Sequence, residues 1–286
     1  MNSAVVSELE VYGEVYIKPE KVINSYPDIQ GTELDGKVQL LQYLEILDLG
    51  SAKSFDGQMM ITRADACEML LRLANIEIIT DTVQIFEDVP VEHPYAGIIS
   101  VCYDLGMISD AQYFNPDSFI KPVDFLKMLE ILMGYKEIIA QYKGYPDGVY
   151  EVARKIDLYI SNSEYVNREI MAEMIYSALV APCVVTRQEG VGYTSSYGDS
   201  MLSTYYGMDI YSGYVNKNTV TTLTQSSYTG DIEISGTSYY DAYGSIDGLL
   251  GREIYYVVSH KDSGDVLYYW ENVNTDYVCN RDDGLF

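Results

Sequence analysis

The sequence predicts an α+β protein with more than one domain, in which three similar helical repeats precede a small, mostly β domain. Apolar residues recur at helical spacing in one segment, and the pattern returns after shifts of 59 and 105 residues. All 8 prolines lie at or before Pro182, whereas 15 of the 29 tyrosines follow it. Beyond Pro182, apolar and polar residues alternate, which predicts about five strands in a small barrel or sandwich.

These changes in composition and spacing divide the chain into six parts. They are an N-terminal arm (1–24), repeat one (25–80), repeat two (81–140), a shortened repeat three (141–183), a linker (184–200) and a tyrosine-rich β domain (201–280). Each repeat is expected to contain an upstream helix, a loop and a second helix, and the first upstream helix is predicted over 37–49, where Gly50 stops it. One such helix pair cannot cover its own apolar face, so the three repeats must pack together.

The second helix of repeat one has the clearest start. Thr62 and Asp65 have the spacing of a capping box, and the apolar face then follows at Ala66, Met69, Leu70 and Leu73. Arg63 lies in the first turn, where the helix dipole disfavours a cation. Either the neighbouring Asp65 or an anionic ligand would explain it, and the free N–H groups of that turn would also attract an anion.

The other two repeats follow the same register. The apolar face becomes Phe125, Met128, Leu129 and Leu132 in repeat two, and Met171, Met174, Ile175 and Ala178 in repeat three. An aspartate precedes each unit, and the three aspartates fall 60 and 59 residues apart at Asp28, Asp88 and Asp147. A period this regular indicates one supersecondary unit used three times.

These motifs resemble the S-layer homology family, whose modules hold bacterial surface proteins on the cell wall. Repeat two carries most of the family pattern, with Phe-x-Asp-Val at 86–89, an aromatic-Ala pair at 95–96, Gly-Met-Ile at 106–108 and Phe-x-Pro at 114–116. Repeat one carries the helix start Ile-Thr-Arg-Ala-Asp at 61–65. The resemblance covers roughly residues 22–182 and implies a pseudo-threefold helical bundle with grooves between neighbouring repeats.

The resemblance also implies a ligand, the pyruvylated secondary cell-wall polysaccharide, and non-covalent anchoring of a surface protein to the wall. An arginine fork can pair with a ketal carboxylate, while an aromatic wall covers the sugar. The residues that match the family's binding positions are the arginines Arg63 and Arg168, the neighbouring acids Asp65 and Glu169, the upstream aspartates Asp28, Asp88 and Asp147, and the aromatic Tyr95.

The chain departs from the family pattern at three positions. Pro122 replaces the arginine in repeat two, and Asp35 and Val152 replace the aromatic in repeats one and three. The arginines and the single aromatic therefore lie in different repeats. We expect one or two composite grooves rather than three equal ones.

Charge and hydropathy narrow the classes of partner. The net charge of −25, from 43 acids and 18 bases, repels phosphate backbones and argues against nucleic acid. The sequence contains no apolar run of 18 residues, which is the length that a membrane-spanning helix needs, so no membrane span is predicted. The first residues do not form a signal peptide, so the extracellular, wall-bound location that the resemblance implies requires that an export signal has been removed.

No motif predicts catalysis, a cofactor or a metal. The two histidines, His93 and His260, have no nucleophile motif beside them, and no glycine-rich phosphate loop is present. Acidic turns at 261–265 and 280–284 could hold calcium, although neither has the EF-hand order. Cys67 and Cys102 are expected as buried thiols, and Cys183–Cys279 is the alternative pair for a disulfide.

A second interpretation belongs to a different functional class. The three repeats could be degenerate and act as a structural spacer or protein-interaction module, with the β domain contacting a protein partner. Wall anchoring requires Arg63 or Arg168, whereas a spacer requires only the apolar face.

Overall fold

The computed structural model describes residues 23–76, 83–189, 192–219, 222–223, 232–241, 246–260 and 265–275. Eight helices and a mixed sheet within these residues confirm the α+β class. The predicted N-terminal arm lies almost entirely outside them. No helix in the described part of the chain is long and apolar enough to cross a membrane.

The described residues of the helical part form seven helices in chain order. They are α1 (Glu33–Tyr43), α2 (Arg63–Leu73), α3 (Ala96–Asp104), α4 (Pro122–Leu132), α5 (Lys136–Gln141), α6 (Asp147–Lys155) and α7 (Arg168–Val180). The capping box predicted at Thr62 and Asp65 is confirmed, with both reciprocal hydrogen bonds present at the start of α2. Leu70 is fully buried, as its place on the repeated apolar face predicts.

The first upstream helix ends earlier than predicted. It stops at Tyr43 rather than continuing to Leu49, because Glu45 adopts a positive φ of 61° that breaks the helix. Ile46 and Leu47 are nevertheless buried. These apolar residues are therefore buried in an irregular segment. Periodicity alone cannot distinguish such a segment from a helix.

Three backbone hydrogen bonds close a ring between the second helices of the repeats. The N–H of Ile61 donates to Val166 O (2.9 Å), that of Val166 to Ile120 O (2.9 Å), and that of Ile120 to Ile61 O (3.1 Å). Each of these residues immediately precedes the N-cap of α2, α4 or α7. We call this set the junction ring, and it brings the starts of the three helices together.

The residues after Pro182 form a hairpin and then a barrel. The range predicted as a linker lies in two antiparallel strands, β1 (Pro182–Glu189) and β2 (Gly192–Ser200), followed by the short helix α8 (Met201–Tyr206). The closed barrel has the order β3-β4-β5-β7-β6, in which only β5 and β7 are parallel. Its strands are β3 (Met208–Lys217), β4 (Ile232–Ile234), β5 (Thr237–Asp241), β6 (Glu253–Ser259) and β7 (Asp265–Glu271).

The barrel packs against α1 and α7 through aromatic side chains. Tyr268 stacks on Tyr43 of α1, with ring centroids 5.5 Å apart. Trp270 contacts the Tyr176 ring of α7 edge to face at 6.3 Å, and it lies directly over Gly36. One apolar core therefore includes the helices and this side of the barrel, while a second, smaller core fills the barrel interior.

The cysteines follow the prediction where the structure describes them. Cys67 and Cys102 are fully buried free thiols, and Cys183 is a partly buried free thiol. Cys279 lies outside the described residues, as do most of the two acidic turns considered for calcium. Among the described residues, no cluster of His, Cys, Asp and Glu could hold a metal ion.

Candidate functional site

The first-turn N–H groups of α2, expected to be free for an anion, are already occupied. Those of Arg63 and Ala64 donate to the carbonyl oxygens of Ser118 (2.9 Å) and Pro116 (3.1 Å). The third, on Asp65, donates to the Thr62 hydroxyl at 3.1 Å. The expectation of an anion held by these groups is therefore wrong for α2, because the loop of repeat two has taken its place.

The first turn of α7 is satisfied in the same way. The N–H groups of Arg168 and Glu169 donate to Met59 O (2.9 Å) and Gly57 O (3.0 Å). The N–H of Ile170 donates to the side chain of the N-cap residue Asn167 at 2.9 Å. Any anion near either helix start must be bound by side chains.

The Arg63 side chain lies across a turn of repeat two. Its Nε donates to Phe114 O at 2.9 Å, and its guanidinium stands 4.7 Å from the centre of the Phe114 ring. Asp124 is the nearest carboxylate, 4.0 Å from Nη1. No hydrogen bond to the described residues engages the remaining N–H groups of the guanidinium, and the side chain keeps 28% of its surface exposed. This exposed edge is free to pair with a carboxylate.

A concave groove surrounds this arginine, with a volume of about 180 Å³. We call it the Arg63 groove, and its main lining residues are Arg63, Ser109, Asp110, Tyr113, Phe114, Asp124 and Lys127. Tyr113 is 49% exposed and offers an apolar ring to a ligand. Asp124 accepts a hydrogen bond from the Tyr145 hydroxyl at 2.9 Å. Burial and this hydrogen bond raise the pKa of Tyr145 to about 12, so the hydroxyl remains a donor to Asp124.

Arg168 is held similarly but beside a different surface. Its Nη1 donates to Phe55 O at 2.9 Å. The adjoining cavity, of about 420 Å³, is lined by the acids Asp28, Asp56 and Glu169. Gln58 donates to Glu169 at 3.2 Å. Three acids repel an anion, so this cavity is poorly suited to an acidic sugar.

Two of the upstream aspartates position the turns that receive the arginines. Asp28 accepts the N–H groups of Phe55 and Asp56, both at 2.9 Å. Desolvation opposes its ionisation, yet the hydrogen bonds from Phe55, Ser54 and Asp56 outweigh that cost and lower the pKa of Asp28 below its ordinary value.

Asp88 acts in the same way in repeat two, whereas Asp147 does not. Asp88 accepts the N–H groups of Phe114 (2.8 Å) and Asn115 (2.6 Å). Asp147 is exposed at the first position of α6, and the described residues contain no hydrogen-bond partner for its carboxylate. Asp28 and Asp88 therefore fix the backbone beneath the arginines, while the shortened third repeat has no equivalent turn.

Tyr95 meets the acid of α2 rather than its arginine. Its hydroxyl donates to Asp65 Oδ1 at 3.3 Å, while Asp65 Oδ2 accepts from the Thr62 hydroxyl and N–H. Burial, followed by the negative charges of Asp65 and Glu68, raises the pKa of Tyr95. The expected pairing of an arginine with an aromatic from another repeat does occur, but the aromatic residues beside Arg63 are Phe114 and Tyr113.

Sequence reasoning missed four residues of the Arg63 groove and its rim: Tyr113, Asp124, Lys127 and Tyr145. Lys127 had a usable signal, because a lysine interrupts the otherwise apolar middle of α4. Asp124 is the residue of repeat two that corresponds to Asp65, but no motif indicated that it would face Arg63.

Comparison with models of known protein families found no match, and comparison with curated proteins found none either.

Proposed function

We propose that this chain anchors a bacterial surface protein non-covalently to the cell wall by binding an anionic, pyruvylated polysaccharide in the Arg63 groove. The observation that carries the proposal is the exposed guanidinium edge of Arg63 in a groove with aromatic walls. In a chain with a net charge of −25, this guanidinium is a local positive charge whose nearest carboxylate, on Asp124, stands 4.0 Å from Nη1. The corresponding location is extracellular, at the wall.

The junction ring supports a pseudo-threefold bundle of three repeats of the S-layer homology type. Each hydrogen bond of the ring joins equivalent positions of two repeats, and the cycle closes after three. Such a bundle places the start of each second helix against the loop of a neighbour. This accounts for the contacts of Arg63 with Phe114 and of Arg168 with Phe55.

Recognition in this groove relies on side chains. A ketal carboxylate pairs with the free N–H groups of Arg63. The hydrogen bond from Arg63 Nε to Phe114 O already holds the guanidinium in one orientation. The Tyr113 ring covers an apolar face of the sugar. Asp124 competes with the ligand for Arg63. Its Oδ2 is 4.0 Å from Arg63 Nη1, so this ion pair is weak. Its other oxygen, Oδ1, already accepts a hydrogen bond from the Tyr145 hydroxyl.

One groove should dominate binding. The cavity beside Arg168 is lined by three carboxylates, and repeat two has Pro122 where the arginine is expected. In the described residues, the Arg63 groove combines a free guanidinium edge with a second cation, Lys127, which balance the two lining acids Asp110 and Asp124. We therefore assign the principal wall contact to it.

Arg63→Ala is expected to weaken binding to pyruvylated wall fragments by about 10- to 150-fold, the equivalent of about 1.5–3 kcal/mol for a charge-assisted contact. Calorimetric titration of the full chain would measure this change. Higher salt should weaken wild-type binding, because the ion pair is partly exposed and screened.

Lys121→Ala is the matched control. Lys121 is an exposed cation at the corresponding helix start, and its side chain makes no capping hydrogen bond. Its loss should leave the affinity within about twofold of wild type. Equal affinities for wild type and Arg63→Ala would remove Arg63 from the binding site. Failure of wild type to bind, or equal binding to wall without the ketal, would favour the spacer interpretation.

A further inference from the structure

Two cysteines from different repeats lie against one another in the core. Cys67 belongs to α2 of repeat one, and Cys102 belongs to α3 of repeat two, 35 residues further along the chain. These two helices pack directly together. The Cys102 thiol donates to Cys67 O at 3.8 Å and also interacts with the Cys67 side chain. The fold therefore brings two sulfur atoms from different repeats side by side.

Burial keeps both sulfur atoms away from solvent. Cys67 and Cys102 are free thiols, and neither has any exposed surface. The contact with the Cys67 side chain, followed by burial, raises the pKa of the Cys102 thiol above its ordinary value. Because the thiolate is the reactive form of cysteine, Cys102 is unreactive once the core has closed. Any chemistry at this pair therefore occurs while α2 and α3 are coming together.

We propose that Cys67 and Cys102 form a disulfide when the chain folds in oxidising surroundings, and that this bond joins repeat one to repeat two. The oxidant is a low-molecular-weight disulfide. The thiolate of one cysteine attacks it, forms a mixed disulfide and releases one small thiol. The thiolate of the other cysteine then attacks the sulfur of the first, forms the Sγ–Sγ bond and releases the second small thiol. Two electrons pass from the cysteines to the oxidant, and both protons end on the released thiols.

The bond rests on the proposed function only for its surroundings, since disulfides persist in oxidising conditions outside the cell. Its effect would reach the Arg63 groove. The bond attaches α2, which carries Arg63, to the repeat that supplies Phe114 and Asp124. The same burial that slows oxidation of the folded chain also shields the finished bond from reducing thiolates. It is therefore a permanent cross-link between two repeats.

Oxidative refolding of the full chain tests the bond. The chain is unfolded and reduced, then refolded with a mixture of oxidised and reduced glutathione or with reduced glutathione alone. With the mixture, the mass should fall by that of two hydrogen atoms for this bond, and a digest should contain Cys67 and Cys102 in one linked peptide pair. Addition of the mixture to the reduced, already folded chain should form the bond at least about tenfold more slowly, because the core must first open.

Three variants serve as controls. A chain with both Cys183→Ser and Cys279→Ser keeps only the proposed pair and should form the bond as wild type does. Cys67→Ser and Cys102→Ser should each abolish it. In the chain that keeps only the pair, the linked form should unfold roughly 5–15 °C above the reduced form.

Two free thiols at Cys67 and Cys102 after oxidative refolding, or glutathione left attached to either, would overturn the proposal. A linked form that unfolds at or below the midpoint of the reduced form would also overturn it, because the bond would then strain the core. Calorimetric titration with pyruvylated wall fragments is read separately. A linked chain that fails to bind the wall would reject the proposed function and retain the bond, whereas wall binding by a chain that never links would reject the bond alone.

Discussion

Trp270→Ala is expected to lower the free energy of unfolding by about 3–5 kcal/mol, the usual cost of truncating a large buried aromatic residue. Trp270 keeps 9% of its surface exposed and stacks on Tyr255 at 5.4 Å. It also contacts Tyr176 of α7 and covers Gly36 of α1. Denaturant unfolding followed by circular dichroism measures the loss. Because this side chain joins the barrel to the helices, its removal should also make the barrel melt separately.

Gly36→Ala is a control whose effect on the free energy of unfolding should change sign when Trp270 is removed. Alanine normally stabilises a helix interior relative to glycine by about 0.5–1 kcal/mol. Here the new Cβ would overlap the Trp270 indole, so Gly36→Ala should destabilise the protein. In the Trp270→Ala background the same change should become neutral or stabilising. A stabilising Gly36→Ala in the wild-type background would show that the indole does not lie there.

The fluorescence of the wild-type tryptophan reports this interface directly. Trp270 is the only tryptophan of the chain. Gly36→Ala should shift its emission towards that of a water-exposed indole before the helices unfold. An unchanged emission spectrum would contradict the expectation that the new Cβ at position 36 moves the indole out of its buried place.

Glu130→Gln is expected to stabilise the protein above neutral pH. Glu130 lies on α4 with no exposed surface, and neither carboxylate oxygen has a hydrogen-bond partner of normal geometry in the described residues. Burial raises the pKa of its carboxyl from 4.5 to about 9, and the nearby backbone of Ala153 offsets only part of this shift. The folded protein therefore keeps a proton that the unfolded chain releases.

The sign of the pH dependence follows from these two pKa values. Below about pH 4.5 both states are protonated, and Glu130 contributes no pH dependence. Between that pH and about 9, each pH unit favours the unfolded state by about 1.4 kcal/mol. At about pH 7 the accumulated loss is roughly 3 kcal/mol. The Glu130→Gln variant does not lose stability in this way, because its amide does not ionise. It still buries a neutral polar group.

Urea unfolding of both proteins at about pH 5, pH 7 and pH 8 measures the effect. The advantage of Glu130→Gln should grow with each step. The control is Glu137→Gln on exposed α5, which should change stability by no more than about 0.5 kcal/mol at any of these pH values. Parallel stability curves for wild type and Glu130→Gln would mean that Glu130 ionises normally in the folded state.

The features that the sequence predicted correctly depend on neighbours in the chain. Thr62 and Asp65 are three residues apart, so the capping box could be identified without tertiary information. The alternating strands of the barrel and the buried face around Leu70 followed from periodicity alone. The aromatic interface between the barrel and the helices, in contrast, was not indicated by any local pattern.

The candidate site depended on distant contacts. Arg63 was identified as a cation in an unfavourable helix position, but its bond to Phe114 spans 51 residues. The N–H groups of Arg63 and Ala64 were expected to be free because the chain nearby offers them no acceptor. Their acceptors, Ser118 and Pro116, belong to the next repeat.

By itself the sequence determined the capped helix of repeat one with its apolar face, the alternating strands after Pro182 and an arginine out of place in a first turn, because caps and periodicity act between residues a few positions apart. Only the tertiary structure decided that Asp28 and Asp88 hold backbone turns and that Arg63 keeps one edge free. Those outcomes depend on which loop reaches which helix start. That choice is set by the packing of whole repeats, which no local pattern encodes.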